Sequence, residues 1–285
     1  MSLPRLSYVL TTFNKLPYLR HTLPRLLSKC REDEEVVIMD GGSTDGTVEF
    51  LRQYHEQGKV HVCLSKPDLG EAHGLNRALM AARGMLIKIV TDDDVFHFDQ
   101  IFKCRQFMEA HPEVDLIGCD GYYQNLTSTR LPVRNTSLEA FRVWRNMHKP
   151  FFFTGLGILI RKDSIPLVGL FDPAFLIVDY EFSLRVTAGK ARMAWYSGAV
   201  FVNLVTSSSN SQRHWERLYQ ERHRLARYYG LPDSIWRYAY IMFRSKLSRA
   251  LKGAPSAVTQ VTYEQAFTQA EVLLDQCAVE GEFYW

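Results

Sequence analysis

The sequence predicts an α/β protein: a mostly parallel central sheet flanked by helices, with a helical C-terminal extension. Three observations carry this prediction. Short apolar runs alternate with stretches whose apolar positions recur at helical spacing, as far as about residue 110. Each run is bounded by Gly, Pro, Asp or Asn. At 285 residues, 46% hydrophobic and 23% charged, the chain is long and apolar enough to bury a sizeable core.

In chain order, 6–11 reads as a buried strand and 18–30 as a helix bent at Pro24. Residues 35–40 form the second strand and 47–57 the second helix, with Thr44 or Asp45 as N-cap and Glu49 in the first turn. A strand over 59–64, a helix over 72–82 and a strand over 85–91 complete the alternation. Beyond Asp120 the regularity breaks. Residues 122–149 mix hairpin and loop with a short helix near 138–146; 151–161 is strand-like and 179–188 helical. Residues 213–229 and 234–251 are helical with many basic and aromatic residues. The expected organisation is one domain over 1–205, its halves meeting near residue 120, followed by a helical extension over 206–285.

Composition excludes several classes. Lys+Arg 34 against Asp+Glu 31 gives a net charge of +3, too balanced for a dedicated nucleic-acid binder. Five scattered cysteines with no C-x-x-C pair suit a reduced compartment and argue against structural zinc. No apolar run reaches the roughly 18 residues of a membrane span; the longest, 193–205, is interrupted by Ser, Gly and Asn. With no secretory leader pattern, the expectation is a cytoplasmic protein whose sequons at Asn125 and Asn135 are coincidences of composition.

Ligand sites in such sheets lie beyond the carboxyl ends of the strands. Asp92, Asp93 and Asp94 follow the fourth strand, and their mutual repulsion is what a hard divalent cation would relieve. A solvated acidic turn is the bland alternative; the position after a buried strand favours the cation. Asp40 to Thr47 follows the second strand: its glycines admit close approach, and Asp40 can accept a hydrogen bond from a base or ribose. It is neither G-x-G-x-x-G nor a P-loop.

These segments carry a resemblance. Thr11-Thr12-Phe13-Asn14, Asp40 to Thr47, Pro67-Asp68-Leu69-Gly70 with Asn76-Arg77-Ala78, and Thr91 to Asp94 resemble the ordered motifs of family 2 glycosyltransferases, over residues 6–98. Gly169 to Pro173, then Asp179 to Arg185, is similar to that family's acceptor-side region. The resemblance implies a GT-A fold and an inverting, metal-dependent transfer from a nucleotide-diphospho-sugar to an acceptor hydroxyl, in bacterial polysaccharide or glycoconjugate synthesis. It makes Asp179 the general base with Glu181 in reserve. The competing reading is an N-cap Asp179 on a helix whose Arg185 makes a salt bridge.

By the same resemblance, Thr11 and Phe13 line the base and Asp40 bonds its imide, which favours UDP. Asp68, Asn76 and Arg77 lie near ribose or phosphate, Arg77 being equally readable as a helix-surface residue. Mn²⁺ or Mg²⁺ is held among Asp92, Asp93 and Asp94, Asp92 also serving the ribose, with His214 as a further ligand. His73 stands where many relatives carry Asp.

Between Arg213 and Lys252, ten cations face three anions and are interleaved with Trp215, Trp236, Tyr238, Tyr240 and Phe243. Such a surface suits an anionic membrane presenting a lipid-linked saccharide acceptor; a solvated helix or a homodimer contact fits as well. Two other functions compete. A sugar-phosphate nucleotidyltransferase needs a Gly-rich, Arg-bearing loop after the first strand, which Thr11 to Lys15 lacks. A non-catalytic sugar-nucleotide-binding module would have lost the triplet or Asp179, and both are present.

Overall fold

Val, Ile and Leu runs closed by turn residues form β1 (Leu6–Thr12), β2 (Glu34–Asp40), β3 (Val62–Ser65) and β4 (Leu86–Ile89). All seven residues of β2 and all four of β4 are buried, as in strands covered on both faces. In the computed structural model, which describes residues 3–126, 131–206, 213–234, 238–240, 262–277 and 281–285, these strands pair in parallel in the order β4-β1-β2-β3. The order reverses between β1 and β4, which opens a crevice at their carboxyl ends.

The second half of the sheet is mixed. It contains β5 (Val95–Phe96), β6 (Leu116–Asn125), β7 (Val133–Asn135), β8 (Leu159–Arg161), β9 (Met193–Val205) and β10 (Phe283–Tyr284). β8 runs antiparallel between β4 and β6, and β6 pairs in parallel with β9. One ten-stranded sheet therefore spans both halves.

The helices sort to two faces by their apolar stripes. On one face, α1 (Leu16–Lys29), α2 (Thr47–Glu56) and α4 (Phe98–Ala110) pack Leu19, Leu23, Leu51, Ile101 and Met108 against Leu6, Tyr8 and Ile38. On the other, α3 (Glu71–Ala81), α5 (Leu138–Met147) and α7 (Val178–Ala188) pack Leu75, Leu79, Phe141 and Phe182 against Val9, Val37 and Ile87. A short turn of helix, α6 (Ile165–Val168), lies between β8 and α7. α1 continues through Pro24 without a break.

Three elements exceed the periodic expectation. α4 and most of β6 lie in 98–121, where no element is predicted, while the end of β6 pairs antiparallel with β7 as the hairpin expected from residue 122, and the interrupted apolar run 193–205 is the 13-residue strand β9. The strand-like stretch 151–161 is a 3₁₀ turn, Gly155–Gly157, followed by β8. Cys104 and Cys119, distant in sequence, meet in the core as free thiols with their sulfurs 3.8 Å apart.

The tail is more than a helical extension. α8 (Trp215–Tyr228) packs Leu225 on Tyr180 and Leu184 of α7. α9 (Tyr263–Gln276) packs Phe267, Ala270 and Leu274 on Val95, Val202 and Leu204, and the chain returns to the sheet as β10, which pairs with β9. The predicted helix 234–251 falls mostly outside the described residues, as do Trp236, Phe243 and all five cations beyond Asp233. Among the described residues no helix is long and apolar enough to cross a membrane.

One brace ties β2 to α4. Arg105, 5% exposed, reaches Asp33, Glu34 and Glu109, with Nη1 and Nε each 2.9 Å from the carboxylates of Glu34 and Glu109. Arg105→Ala strands the buried Glu34 carboxylate, and we expect a loss of about 3–5 kcal/mol, measured by urea unfolding.

Candidate active site

Three loops at the crevice are joined by side-chain hydrogen bonds. Asn14, at φ 52°, accepts from Thr44 N on Oδ1 at 2.8 Å while its own N–H donates to Ser43 Oγ at 2.7 Å. Asp45 accepts from Leu16 N at 3.0 Å and from Thr47 N at 3.1 Å, so it caps α2 and pins the start of α1. The N-cap position itself is Gly46, at φ 92°, a conformation that L side chains resist.

Lys15, the residue before α1, reaches the loop after β4, its Nζ 2.5 Å from Asp93 Oδ2. Asp92 and Asp94 are buried, 7% and 4% exposed. Burial and the neighbouring Asp93 charge push both carboxyls well above the usual carboxylate range, and Lys15 partly offsets this at Asp92. Asp94 is committed to the fold: Oδ1 accepts from Asn203 Nδ2 at 2.9 Å and Leu204 N at 2.7 Å, and Oδ2 from Thr91 Oγ1 at 2.6 Å. Tyr263 of α9 closes the neighbourhood, its ring 4.6 Å from that of Tyr18 and its hydroxyl oxygen buried without a partner among the described residues.

Buried carboxylates crowded until they resist ionisation are a donor set that a hard cation fits. Among the described residues no three His, Cys, Asp or Glu side chains converge into a complete cage. The fit is therefore to an ion held by one or two carboxylates, Asp93 and Asp92, and otherwise by substrate oxygens, as is common for Mg²⁺. His214 stands exposed at the N-cap of α8.

β8 runs antiparallel to β4, so the turn before it, Gly155–Gly157, lies at the edge where β4 ends. Lys88 of β4, 1% exposed, holds that turn by donating to the carbonyls of Leu156 and Ile158. Asp179, in the first turn of α7, accepts from Gly155 N at 3.3 Å. Burial raises its pKa, against the backbone N–H groups that favour the ionised form. Arg185 makes the salt bridge that the competing reading expects, with Glu181 as partner, and the N-cap of α7 is Ile177 rather than Asp179. Arg185 binds Glu181 through two bonds of 2.7 and 3.0 Å and also donates to the carbonyls of Val168 and Leu170. The spacing carried that signal, since 181 and 185 are neighbours on a helix face and 179 and 185 are not.

Several residues expected at the nucleotide are engaged elsewhere. Asp40 is fully buried and accepts from Gly42 N and Ser43 N, each at 2.9 Å, and from Ser65 Oγ at 2.6 Å, so it shapes the turn from beneath. Asn76 pairs with the backbone of Phe171 at 2.7 and 2.9 Å, clamping α3 to the acceptor half. Arg77 donates to Lys66 O at 3.2 Å. Asp68 is placed differently: its carboxylate lies against Gly41 and Gly74, where an added Cβ would sit 3.0 and 3.1 Å from Oδ2. Gly74 also leaves room for Thr11 Oγ1. Gly70 N donates to Asp68 Oδ1 at 2.9 Å and Leu69 N to His73 Nδ1 at 3.0 Å, which fixes this loop. Phe13 is 57% exposed at the mouth of β1.

A parallel nucleotide-type half, joined through an antiparallel strand to a second half with carboxylates along the shared edge, is the GT-A layout. Residues 7–166 match the sequence profile of Glycosyl transferase family 2, and the chain belongs to that family. It is 30% identical over 106 residues to TuaG of Bacillus subtilis (strain 168), a glycosyltransferase named for teichuronic acid biosynthesis; the match covers 37% of this chain and 42% of TuaG, so the chain spans less than half of that curated relative. Two solved structures share the fold. S. aureus TarS 1–349 in complex with UDP-GlcNAc superposes at TM-score 0.58 and 16% identity, covering 96% of this chain and 82% of that one. The mannosyltransferase PcManGT from Pyrobaculum calidifontis, in complex with GDP-Man and Mn²⁺, superposes at 0.57 and 18%, covering 98% and 76%.

Proposed function

We propose that the chain transfers a sugar from a nucleotide-diphospho-sugar to an acceptor hydroxyl with inversion, using Asp179 as general base. The observation that carries this is Asp179 itself: a carboxylate of raised pKa, at the edge where β4 delivers the acidic triplet, while neighbouring Glu181 is neutralised by Arg185. An alcohol is a poor nucleophile until its proton is removed, and a base of raised pKa does this near neutral pH. The triplet serves the departing diphosphate, where bound Mn²⁺ or Mg²⁺ would offset the developing charge. PcManGT with Mn²⁺ supports the metal, and TarS with UDP-GlcNAc supports a UDP-linked donor.

Within this reading Asp68, with Thr11 and Phe13, meets the nucleoside, and Asp40 holds the turn on which it rests. Asp68→Ala should weaken UDP binding about tenfold, the scale of one charged hydrogen bond, with only a small fall in melting temperature, since the loop bond it loses from Gly70 N is exposed. Asp40→Ala should lower the melting temperature. Calorimetric titration and a melting curve of each variant separate the two roles.

The acceptor class that TuaG's name supports is a saccharide of bacterial polysaccharide or glycoconjugate synthesis. Exposed Arg213, Arg217, Arg222, Arg224 and Arg227 on and before α8 support a cytoplasmic site of action against anionic lipid. The test is a melting-temperature screen of sugar nucleotides with Mn²⁺, followed by product analysis. A rise with UDP-sugars that EDTA abolishes is expected; no response to any sugar nucleotide overturns the proposal.

A further inference from the structure

Lys15 is absorbed neither by the base-catalysis reading nor by the nucleoside contacts. Its ammonium lies 2.5 Å from Asp93 Oδ2 and 4.8 Å from the centroid of the Tyr18 ring, and its side chain is 20% exposed against 16% for Asp93. Tyr18 is braced in turn by Tyr263, which binds α1 and α9 together behind it. The pair joins residues 78 apart in sequence, so it is a product of the fold and not of local chain geometry. Three adjacent carboxylates, two of them buried, are here held beside the Lys15 ammonium.

We propose that Lys15 is the resident counter-cation of the acidic triplet: its ammonium neutralises Asp93 in the metal-free protein, and a divalent ion binds Asp93 only by displacing it. This rests on the metal-dependent reading above. The displaced ammonium stays tethered at the start of α1, next to the place where a diphosphate would bring its charge. Lys15 thereby acts as a positioning residue: it keeps the empty site from repelling itself apart, sets the concentration at which metal enters, and adds positive charge once an anionic donor is present. Displacement burdens metal binding to the free protein and favours anion binding, so removing Lys15 moves the two in opposite directions. A purely structural lysine moves both the same way.

The test uses the full chain. Mn²⁺ binding without nucleotide is followed by loss of the free-ion EPR signal, and UDP binding without metal by calorimetry, for wild type, Lys15→Met and Lys15→Arg. Lys15→Met should bind Mn²⁺ about tenfold tighter and UDP several-fold weaker, and Lys15→Arg should restore wild-type values towards both. In the wild type, acetylation of Lys15 by acetic anhydride, read by peptide mass spectrometry, should accelerate when Mn²⁺ is added. Unchanged or weaker Mn²⁺ binding by Lys15→Met, or labelling that ignores bound Mn²⁺, overturns the displacement while leaving metal dependence intact. The labelling arm needs no variant to fold. No Mn²⁺ binding by any form overturns both readings.

Discussion

Asp179→Asn is expected to bind UDP and Mn²⁺ as the wild type does and to transfer sugar about 10²- to 10⁴-fold more slowly, the usual contribution of a positioned general base. The amide keeps the size of the side chain and an oxygen that accepts from Gly155 N, so the first turn of α7 stays in place. What disappears is the capacity to take the acceptor proton. The pH dependence follows with a definite sign. Burial raises the Asp179 pKa, so the acid limb of the rate profile lies above the ordinary aspartate value of about 3.9 and disappears in the variant. Linkage runs the same way. Above the ordinary value the folded state binds this proton more tightly than the unfolded chain, so stability falls as pH rises towards the native pKa. Asparagine removes that loss, and the variant should melt no lower than wild type at neutral pH. Wild-type turnover in Asp179→Asn would remove the residue as base.

The second large effect divides the triplet. Asp93→Asn should cost about 10²- to 10³-fold in Mn²⁺-dependent turnover, the range for deleting one preorganised electrostatic stabiliser, with a melting temperature close to wild type. Asp93 makes no bond that holds the sheet; its described partner is Lys15. Asp94→Ala should instead destabilise by about 1–3 kcal/mol, because it leaves the buried N–H of Leu204 on β9 without its acceptor. The sequence leaves open which of the three acids meets the metal, and their contacts divide them: Asp93 is the charge partner of Lys15 and Asp94 is a strut. Equal melting temperatures for the two variants would contradict it.

Much of the nucleotide half was legible because its physics is local. Parallel strands covered on both faces must be nearly all apolar, so β1, β2 and β4 stand out as short runs, and α1, α2 and α3 follow from spacing. β9 was hidden by Ser197, Gly198 and Asn203, which break the apolar run, the first two where its pairing with β6 shifts register. α4 was hidden by a weak stripe, its polar residues Gln100 and Arg105 being buried rather than exposed.

At the site, residue type and position at a strand end drew attention to Asp40, Asp68 and the triplet, the family resemblance added Asp179, and neither went further. Whether a carboxylate can serve a ligand depends on which donors already occupy it, and those donors come from across the fold: Ser65 for Asp40, Asn203 and Leu204 for Asp94, Lys15 for Asp93. The sequence by itself determined the parallel half of the sheet, because hydrophobic period and turn chemistry act over a few residues, and pointed to the family through the resemblance of its ordered motifs. Only the tertiary structure decided which acids are braces and which remain available, because hydrogen bonds and charge pairs are satisfied in space, between residues the chain order keeps far apart.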